Sequence, residues 1–507
     1  MSLNRRQVLG SAAAAVLATV GAAARTPDYG ALARGIDGRV VLPGDRDYPE
    51  ARRLFQPRYD SVAPAAVAYP AHAGDVAVCL DFARRSGAPV VPRGGGHSYA
   101  GWSTRSAGLV VDTGAMAAVS VDGGSGSGVR IGAGARLGDV HAALAGLGRS
   151  VPTGLCPSVG IAGLTLGGGL GLASRAYGTT ADRLTGARVV TPDGTVREVS
   201  AELDPELFWA LRGGGGGNFG VVTEFRFRTH PVGPCAFAEL HWPGGASAAV
   251  LRGWQRWLAA LPDPFWSQVE FTLQAGAAAA STPAVRVVCL DGRPELEGQL
   301  TRLSDLVGGA PRDSSITVRS HEDTVLAMSG CAEPIPARCR LPGVLPGRDP
   351  QGRLGRDSYA ARSDFWAGDG LPDAAITAVL DAVRRYGGSV PPGGLGVVQF
   401  DGVCGGVVNR VPASSTAFVH RDSLFLAQYL AYWPESATAG EVDRHQGWLD
   451  GLWQDLRPWA GGRAYQNYID PKLTGWREAY YGPNLARLQE VRRVHDPDRL
   501  FRFPQAV

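Results

Sequence analysis

Two hydrophobic periods alternate along this chain, and the switches between them mark its elements. Over residues 75–86 the apolar Val76, Leu80 and Ala83 recur at helical spacing, with Asp75 placed as the N-terminal cap. The same kind of pattern predicts helices over 137–147, 247–260, 372–386 and 438–456. Short apolar runs bounded by turn formers predict strands at 88–92, 109–112, 129–133 and 188–190, the last entering a turn at Pro192, Asp193 and Gly194. Later strands are predicted at 285–288 and 424–432. Strands and helices interleave over 40–230, as in a mixed α/β module. Residues 236–450 change character: glycine clusters thin out, and Trp, Phe and alternating strands take over. This region reads as a second α+β unit, whose Pro- and Gly-rich stretch 306–370 is expected to cap or line a cleft. No internal repeat is evident.

Composition sharpens this picture in three places. The 70 glycines follow no collagen-like period and gather near 94–101, 160–171 and 213–220. Such clusters suit backbone that must turn tightly or approach another group closely. The net charge of +3, without long runs of like charge, gives no electrostatic case for nucleic acid as a partner. Seven cysteines, an odd number, predict at least one unpaired or otherwise committed thiol in an exported protein. Cys331 and Cys339 are near enough in sequence to pair, while spacing leaves Cys79, Cys235, Cys289 and Cys404 open. No cysteine or histidine spacing suits zinc.

Export itself is an expectation from the N-terminus. Arg5 and Arg6 precede an apolar run over 10–21 and then Ala22, Ala23 and Ala24. A charged start, a short apolar core and small residues at the cleavage point predict a leader over 1–24. The paired arginines favour the twin-arginine route, with an ordinary secretory signal or a membrane anchor as alternatives. The run falls short of the roughly 20 residues of a comfortable span, so no stable membrane association is expected after leader removal. Twin-arginine export carries proteins that are already folded.

Candidate chemistry sits in the glycine clusters. Arg93, Gly94, Gly95, Gly96, His97, Ser98 and Tyr99 follow a predicted buried strand, and such a glycine run can form an anion-binding nest for a pyrophosphate. No Gly-Lys-Ser/Thr follows, and no G-x-G-x-x-G opens a helix there. A nicotinamide dehydrogenase is therefore disfavoured. Cys156 lies in the loop before Ser158, Val159, Gly160, Gly163 and Gly167. A third glycine segment ends at Asn218, Phe219, Gly220, Val221, Val222 and Thr223. Read singly, each segment also suits a flexible loop, and a lone His or Cys also suits a structural role.

Read together, they resemble the berberine bridge enzyme-like branch of the vanillyl-alcohol oxidase superfamily, flavoenzymes with a PCMH-type FAD-binding domain. The likeness is strongest to its aclacinomycin oxidoreductase-like and glucooligosaccharide oxidase-like members. It rests on the R-G-G-G-H-S loop at 93–98, C-P-S-V-G-I-A-G at 156–163, L-G-G-G-L-G at 166–171 and G-G-G-G-N-F-G-V-V-T at 214–223. It extends to Y-Q-N-Y-I-D at 465–470, Y-Y-G-P-N at 480–484 and D-P-D-R-L-F at 496–501.

The resemblance implies an α+β fold with a discontinuous two-subdomain FAD-binding domain over 25–235, completed by 456–507. A substrate domain with an antiparallel sheet backed by helices would occupy 236–455. It implies FAD bonded twice, through His97 to the 8α-methyl and Cys156 to C6. An imidazole nitrogen and a thiolate are both good nucleophiles toward an electron-poor ring. Arg93, Gly94, Gly95, Gly96, Ser98, Ser158, Val159, Gly160, Gly163, Gly167, Val222, Tyr465 and Asn467 fall at cofactor positions. Tyr99, Gln399 and Gln428 fall at substrate positions.

Tyr468 matches the catalytic tyrosine and Asp401 the carboxylate that assists it. A free tyrosine has a pKa of roughly 10, so the site is expected to depress that of Tyr468. Val159 matches the position that admits oxygen when it is Val, which favours an oxidase. The glutamate base of plant members has no equivalent near Gln428, where Leu426 and Ala427 stand. The expected function is therefore oxidation of an alcohol carbon in a carbohydrate or a glycosylated or polyketide-like metabolite, with oxygen reduced to hydrogen peroxide. The alternatives are a flavin dehydrogenase with another acceptor, or a flavin-fold binding protein without significant turnover.

Overall fold

The computed structural model describes residues 27–121, 127–274, 283–331 and 356–507. The predicted leader over 1–24 and Cys339 lie outside the described residues. The first sheet contains β1 (Arg39–Val41), β2 (Ala66–Tyr69), β3 (Val90–Arg93) and β4 (Leu109–Asp112), in the order β1-β2-β4-β3. β2, β4 and β3 run parallel, and β1 pairs antiparallel at the edge. All residues of β2 and β4 are buried, because both faces of a parallel sheet are covered.

The helix Ala73–Ser86 makes the crossover from β2 to β3. Its cap differs from the expectation. His72 is the N-cap, with its side chain accepting the Asp75 N–H at 3.3 Å. Asp75 lies inside the first turn, and its carboxylate accepts the N–H groups of Ala71, Asp37 and Gly38 at 2.8–3.0 Å. The acid is used to gather loop donors rather than to start the helix.

Next come β5 (Val119–Val121), β6 (Gly128–Gly132), β7 (Arg149–Ser150), β8 (Leu184–Val190), β9 (Val196–Val199), β10 (Val221–Arg228) and β11 (His230–Pro231). Five of them form an antiparallel sheet, β5-β6-β10-β8-β9, and β7 pairs with β11. The third sheet comprises β12 (Cys235–His241), β13 (Phe265–Gln274), β14 (Ala284–Cys289), β15 (Asp313–Arg319), β16 (Ser358–Ala367), β17 (Leu395–Asp401) and β18 (Ser423–Trp433). It is antiparallel throughout, in the order β15-β12-β14-β13-β17-β18-β16. The helices Ser247–Ala259, Arg293–Val307, Asp373–Gly387 and Ala439–Leu456 pack on one face and share its largest hydrophobic core. The opposite face looks toward the first two sheets. The C-terminal segment returns to them: Phe501 bridges to Val90, and the Val507 N–H is bonded to Asn218 Oδ1.

Within the Pro- and Gly-rich stretch 306–370, expected to cap or line a cleft, the structure places β15, the helix His321–Met328 and β16, and Asp357 and Tyr359 border the cavity described below. Both strands lack an apolar alternation for identifiable reasons. β15 is an edge strand with polar, exposed positions. β16 buries Arg362 and Asp364, whose charges are met by partners from other elements. Cys331 is disulfide-bonded, and the other five described cysteines are free. Among the described residues no helix is long and apolar enough to cross a membrane.

One buried ion pair ties the second sheet's connections to the third sheet. Arg421, just before β18, forms a two-pronged bond to Asp182 at 2.7 and 2.8 Å and also donates to Thr416 Oγ1 and the Phe418 carbonyl. Both side chains are under a tenth exposed. Arg421→Met is expected to destabilise the protein by about 3–5 kcal/mol, because Asp182 is left as an uncompensated buried charge. Denaturant unfolding measures this; an unchanged midpoint would show that the pair carries no such constraint.

Candidate active site

A cavity of about 520 Å³ opens between the three sheets. Its glycine-rich wall is built where two loops touch backbone to backbone. A Cβ on Gly95 would lie 2.2 Å from the Gly160 nitrogen, and one on Gly160 would lie 2.4 Å from the Gly95 nitrogen. Neither position has room for a side chain. Gly96 also adopts a φ of +72°, which L side chains rarely take. The first loop leaves the C-terminal end of β3, where open parallel sheets place their ligands.

These loops bring His97 and Cys156 to the same cavity. The His97 ring stacks on Phe55 at 4.0 Å between centroids. Burial, then the nearby Arg136 charge, lower its pKa to about 3, so the imidazole is neutral near pH 7. Its Nε2 is buried without a well-formed hydrogen bond. Cys156 presents an exposed surface to the cavity while lying deep within the protein. That depth raises its pKa, although Ser158 Oγ stands 3.7 Å from the sulfur. The resting side chain is therefore a thiol.

The opposite wall is the open face of the third sheet together with the segment after residue 464. Tyr468 stacks on Tyr99 with centroids 5.3 Å apart and rings 4° from parallel. Gln428, on β18, donates to the Tyr99 hydroxyl at 2.9 Å. Tyr359 of β16 meets Tyr99 edge-on at 5.0 Å. Asp401, at the end of β17, accepts the Gln399 amide through Oδ2, and its Oδ1 is buried without a partner. Burial raises the Asp401 pKa to about 7.

The expected depression of the Tyr468 pKa is not present. Burial, followed by the neighbouring Tyr99 and Asp401, holds the Tyr468 phenol well above its ordinary range. Among the described residues no hydrogen bond joins Asp401 to Tyr468, although both border the cavity.

The amino-terminal half of the chain matches the FAD binding domain family over residues 64–200, and residues 464–507 match the berberine and berberine-like family. The chain is 30% identical to the FAD-linked oxidoreductase YgaK of Bacillus subtilis over 93% of its own length and 97% of that protein. The chain is an FAD-linked oxidoreductase of the berberine bridge enzyme-like family. It is also 29% identical to the xylooligosaccharide oxidase of Thermothelomyces thermophilus, over 88% of this chain and 87% of that one. Among solved structures it resembles the glucooligosaccharide oxidase of Acremonium strictum, described with a 6-S-cysteinyl, 8α-N1-histidyl FAD. The TM-score is 0.81 at 26% identity, covering 93% of this chain and 97% of that one.

The cavity of this oxidoreductase fits FAD on its own residues. Loops without Cβ atoms leave backbone N–H groups accessible to a pyrophosphate, and His97 offers a buried, neutral imidazole. Of the residues singled out from the sequence, Gly94, Gly95, Gly96, His97, Ser98, Tyr99, Cys156, Val159, Gly160, Gly163, Val222, Gln399, Asp401, Gln428, Tyr465, Asn467 and Tyr468 border the cavity. Arg93 borders it too, but its guanidinium turns away to Asp112 and the Ala51 carbonyl.

Ser158 and Gly167 stand behind the wall. The Ser158 carbonyl accepts from Arg136 at 2.8 Å, and a Cβ on Gly167 would lie 2.0 Å from Asn467 Oδ1. Tyr465 and Asn467 clip the glycine wall in place: the Tyr465 hydroxyl accepts the Gly169 N–H at 3.0 Å, and the Asn467 amide donates to the Leu164 carbonyl at 2.9 Å. Phe55, Arg136, Trp266, Tyr359 and Tyr432 were not marked by sequence. Each is an isolated residue on an ordinary element, and only tertiary packing brings it to the site.

The folded pKa of Asp401 exceeds its unfolded value of 3.8, so the folded state binds the extra proton between pH 4 and 7. Stability from this group is lost as pH rises through that window. Asp401→Asn is expected to stabilise the apoprotein at pH 8 by about 1–4 kcal/mol and to have little effect at pH 4. Urea unfolding at the two pH values measures this, and equal effects at both would contradict the buried, proton-holding carboxyl.

Proposed function

We propose that this enzyme is an oxidase that takes hydride from an alcohol carbon of a carbohydrate or a glycosylated or polyketide-like metabolite. In this reading FAD is held through both His97 and Cys156, and oxygen is reduced to hydrogen peroxide. The observation that carries the proposal is that His97, Cys156, Tyr468 and Asp401, from four distant parts of the sequence, line one cavity. The oligosaccharide oxidases among its relatives support the substrate class and, in the glucooligosaccharide oxidase, the double attachment.

FAD bound here would supply the hydride acceptor. The protein's own residues supply position and proton transfer. Tyr99 and Tyr468 present parallel aromatic faces, which suit a sugar ring or a planar metabolite, and the Gln428 amide fixes the Tyr99 hydroxyl. Tyr468 is a neutral phenol at rest, so it works as a relay: it accepts the substrate hydroxyl proton only as its own proton leaves. Asp401 is the carboxyl of the cavity suited to take that proton through an intervening water, since no hydrogen bond joins the two residues directly, and its pKa of about 7 lets it exist ionised near neutral pH while holding a proton when one arrives. Val159 borders the cavity without filling it, consistent with access for oxygen.

Export through the twin-arginine route is part of the same proposal. The disulfide at Cys331 supports an oxidising compartment.

Denatured enzyme made with ample riboflavin is expected to remain yellow and to be heavier by one FAD. His97→Ala and Cys156→Ala should each keep a linked flavin, while the double variant should release it. A polypeptide of unmodified mass from the unaltered enzyme would overturn the double attachment. Tyr468→Phe should lower kcat by about 10²–10⁴-fold with little change in flavin content. In the unaltered enzyme kcat/KM should rise with pH through about 7, and Asp401→Asn should lose that limb. Peroxide detection over a panel of sugars and glycosides measures both, and an unchanged pH profile in the Asn variant would remove Asp401 from the proton path.

A further inference from the structure

We propose that Arg136 is a positioning residue for flavin attachment, a single guanidinium that sets the distance between the two anchor loops so that His97 and Cys156 can bond to the same FAD. The proposal rests on the two-link reading above.

Arg136 is the N-cap residue of the helix Leu137–Ala145 and forms an isolated β-bridge with Gly160. The start of that helix is fastened to the Cys156 loop by its backbone: Leu137 N–H donates to the Val159 carbonyl and Gly138 N–H to the Pro157 carbonyl, both at 2.9 Å. The side chain then reaches across to the other loop. Nη1 donates to the Gly95 carbonyl, two residues before His97, and to the Ser158 carbonyl, two residues after Cys156. One cation thereby crosses the seam where Gly95 and Gly160 already touch. Bonds from a charged donor are stronger than neutral ones, and the glycines on either side have no side chains with which to hold the seam themselves. The same charge opposes protonation of the His97 ring and so keeps a lone pair available.

Geometry of this kind matters because attachment is bond formation between held groups. Each link joins a protein nitrogen or sulfur to a flavin carbon, with one hydrogen lost from each partner. The two electrons and two protons pass to oxygen as hydrogen peroxide. A displacement of about 1 Å in such a reaction can cost roughly a hundredfold in rate.

The test reads attachment, not turnover. Arg136→Gln is placed in the Cys156→Ala and His97→Ala backgrounds, so that each remaining link is followed separately by intact mass of the denatured protein. Enzyme from riboflavin-limited cells is given FAD and sampled over time. Arg136→Gln is expected to slow linking at least tenfold in both backgrounds while FAD is still bound and released on denaturation. Arg136→Lys keeps the charge but not the planar fork and should recover part of the rate, which a general loss of folding would not allow. Linking within twofold of the parent in either background would overturn the proposal. If the Gln variant is insoluble, Lys decides alone: a loss of at least threefold in both backgrounds supports the proposal, and a smaller one overturns it. Unmodified mass in enzyme that carries no substitution would instead remove the two-link reading, and this proposal with it.

Discussion

The contact between the backbones of Gly95 and Gly160 is the constraint on which the rest of the site depends. It joins a loop that leaves the parallel sheet to a loop that precedes the helix Ile161–Leu166. The two nitrogens lie where any Cβ would have to be, so the loops can meet only if both residues are glycine. Their meeting carries His97 and Cys156, 59 positions apart in the chain, to one cavity. The other glycines of the wall make room for backbone donors. These two fix where the wall stands.

Burial is the second determinant, and it acts on His97, Cys156, Tyr468 and Asp401 in the same direction. Taking a charge out of water favours the neutral form. His97 is accordingly a neutral imidazole, Cys156 a thiol, and Tyr468 a phenol held far from ionisation. Asp401 differs in degree. Its pKa is raised by the same burial but stops near 7, in part because the Gln399 amide favours the anion. A tyrosine that cannot ionise by itself and a carboxyl poised near neutrality form a complementary pair. In the proposed reaction the tyrosine would supply the contact with substrate and the carboxyl the proton capacity.

The sequence makes the glycine loops, the strands beside them and most helices legible, because each is a local signal. The helices over 247–260, 372–386 and 438–456 are displaced by only a residue or so at their ends, since their apolar stripes face one large core. Signals fail where burial is bought with charge. β16 carries Arg362 and Asp364 inward, which no alternation pattern reveals. The N-cap at His72 is hidden for a related reason: Asp75 carries the stronger capping propensity, yet its carboxylate is occupied by three loop N–H groups. In the site, the motif residues are legible and their supports are not. Phe55 behind His97 and Arg136 between the loops are single residues with no pattern of their own, and the raised pKa of Tyr468 follows from a burial that no spacing records.

The inward charges of β16 explain how a tail segment can place Tyr468 in the cavity with precision. Tyr468 sits in a short turn of the 3₁₀ type, an element with little intrinsic stability. Two residues on, Asp470 is bonded to Arg362 at 3.0 Å, and Arg362 also holds Asp450 of the helix Ala439–Leu456. The neighbouring Asp364 is bonded to Arg457 at 2.9 Å, and Trp453 lies under both guanidiniums at 4.3 and 4.5 Å. On the other side of Tyr468, the Tyr465 N–H donates to Ser363 Oγ at 3.1 Å. Buried ion pairs contribute little net stability, since desolvation offsets most of their attraction. Their value here is directional. An apolar contact would let the turn slide along β16, whereas these bonds are satisfied in a single register, and in that register the Tyr468 ring lies parallel to Tyr99 in the cavity.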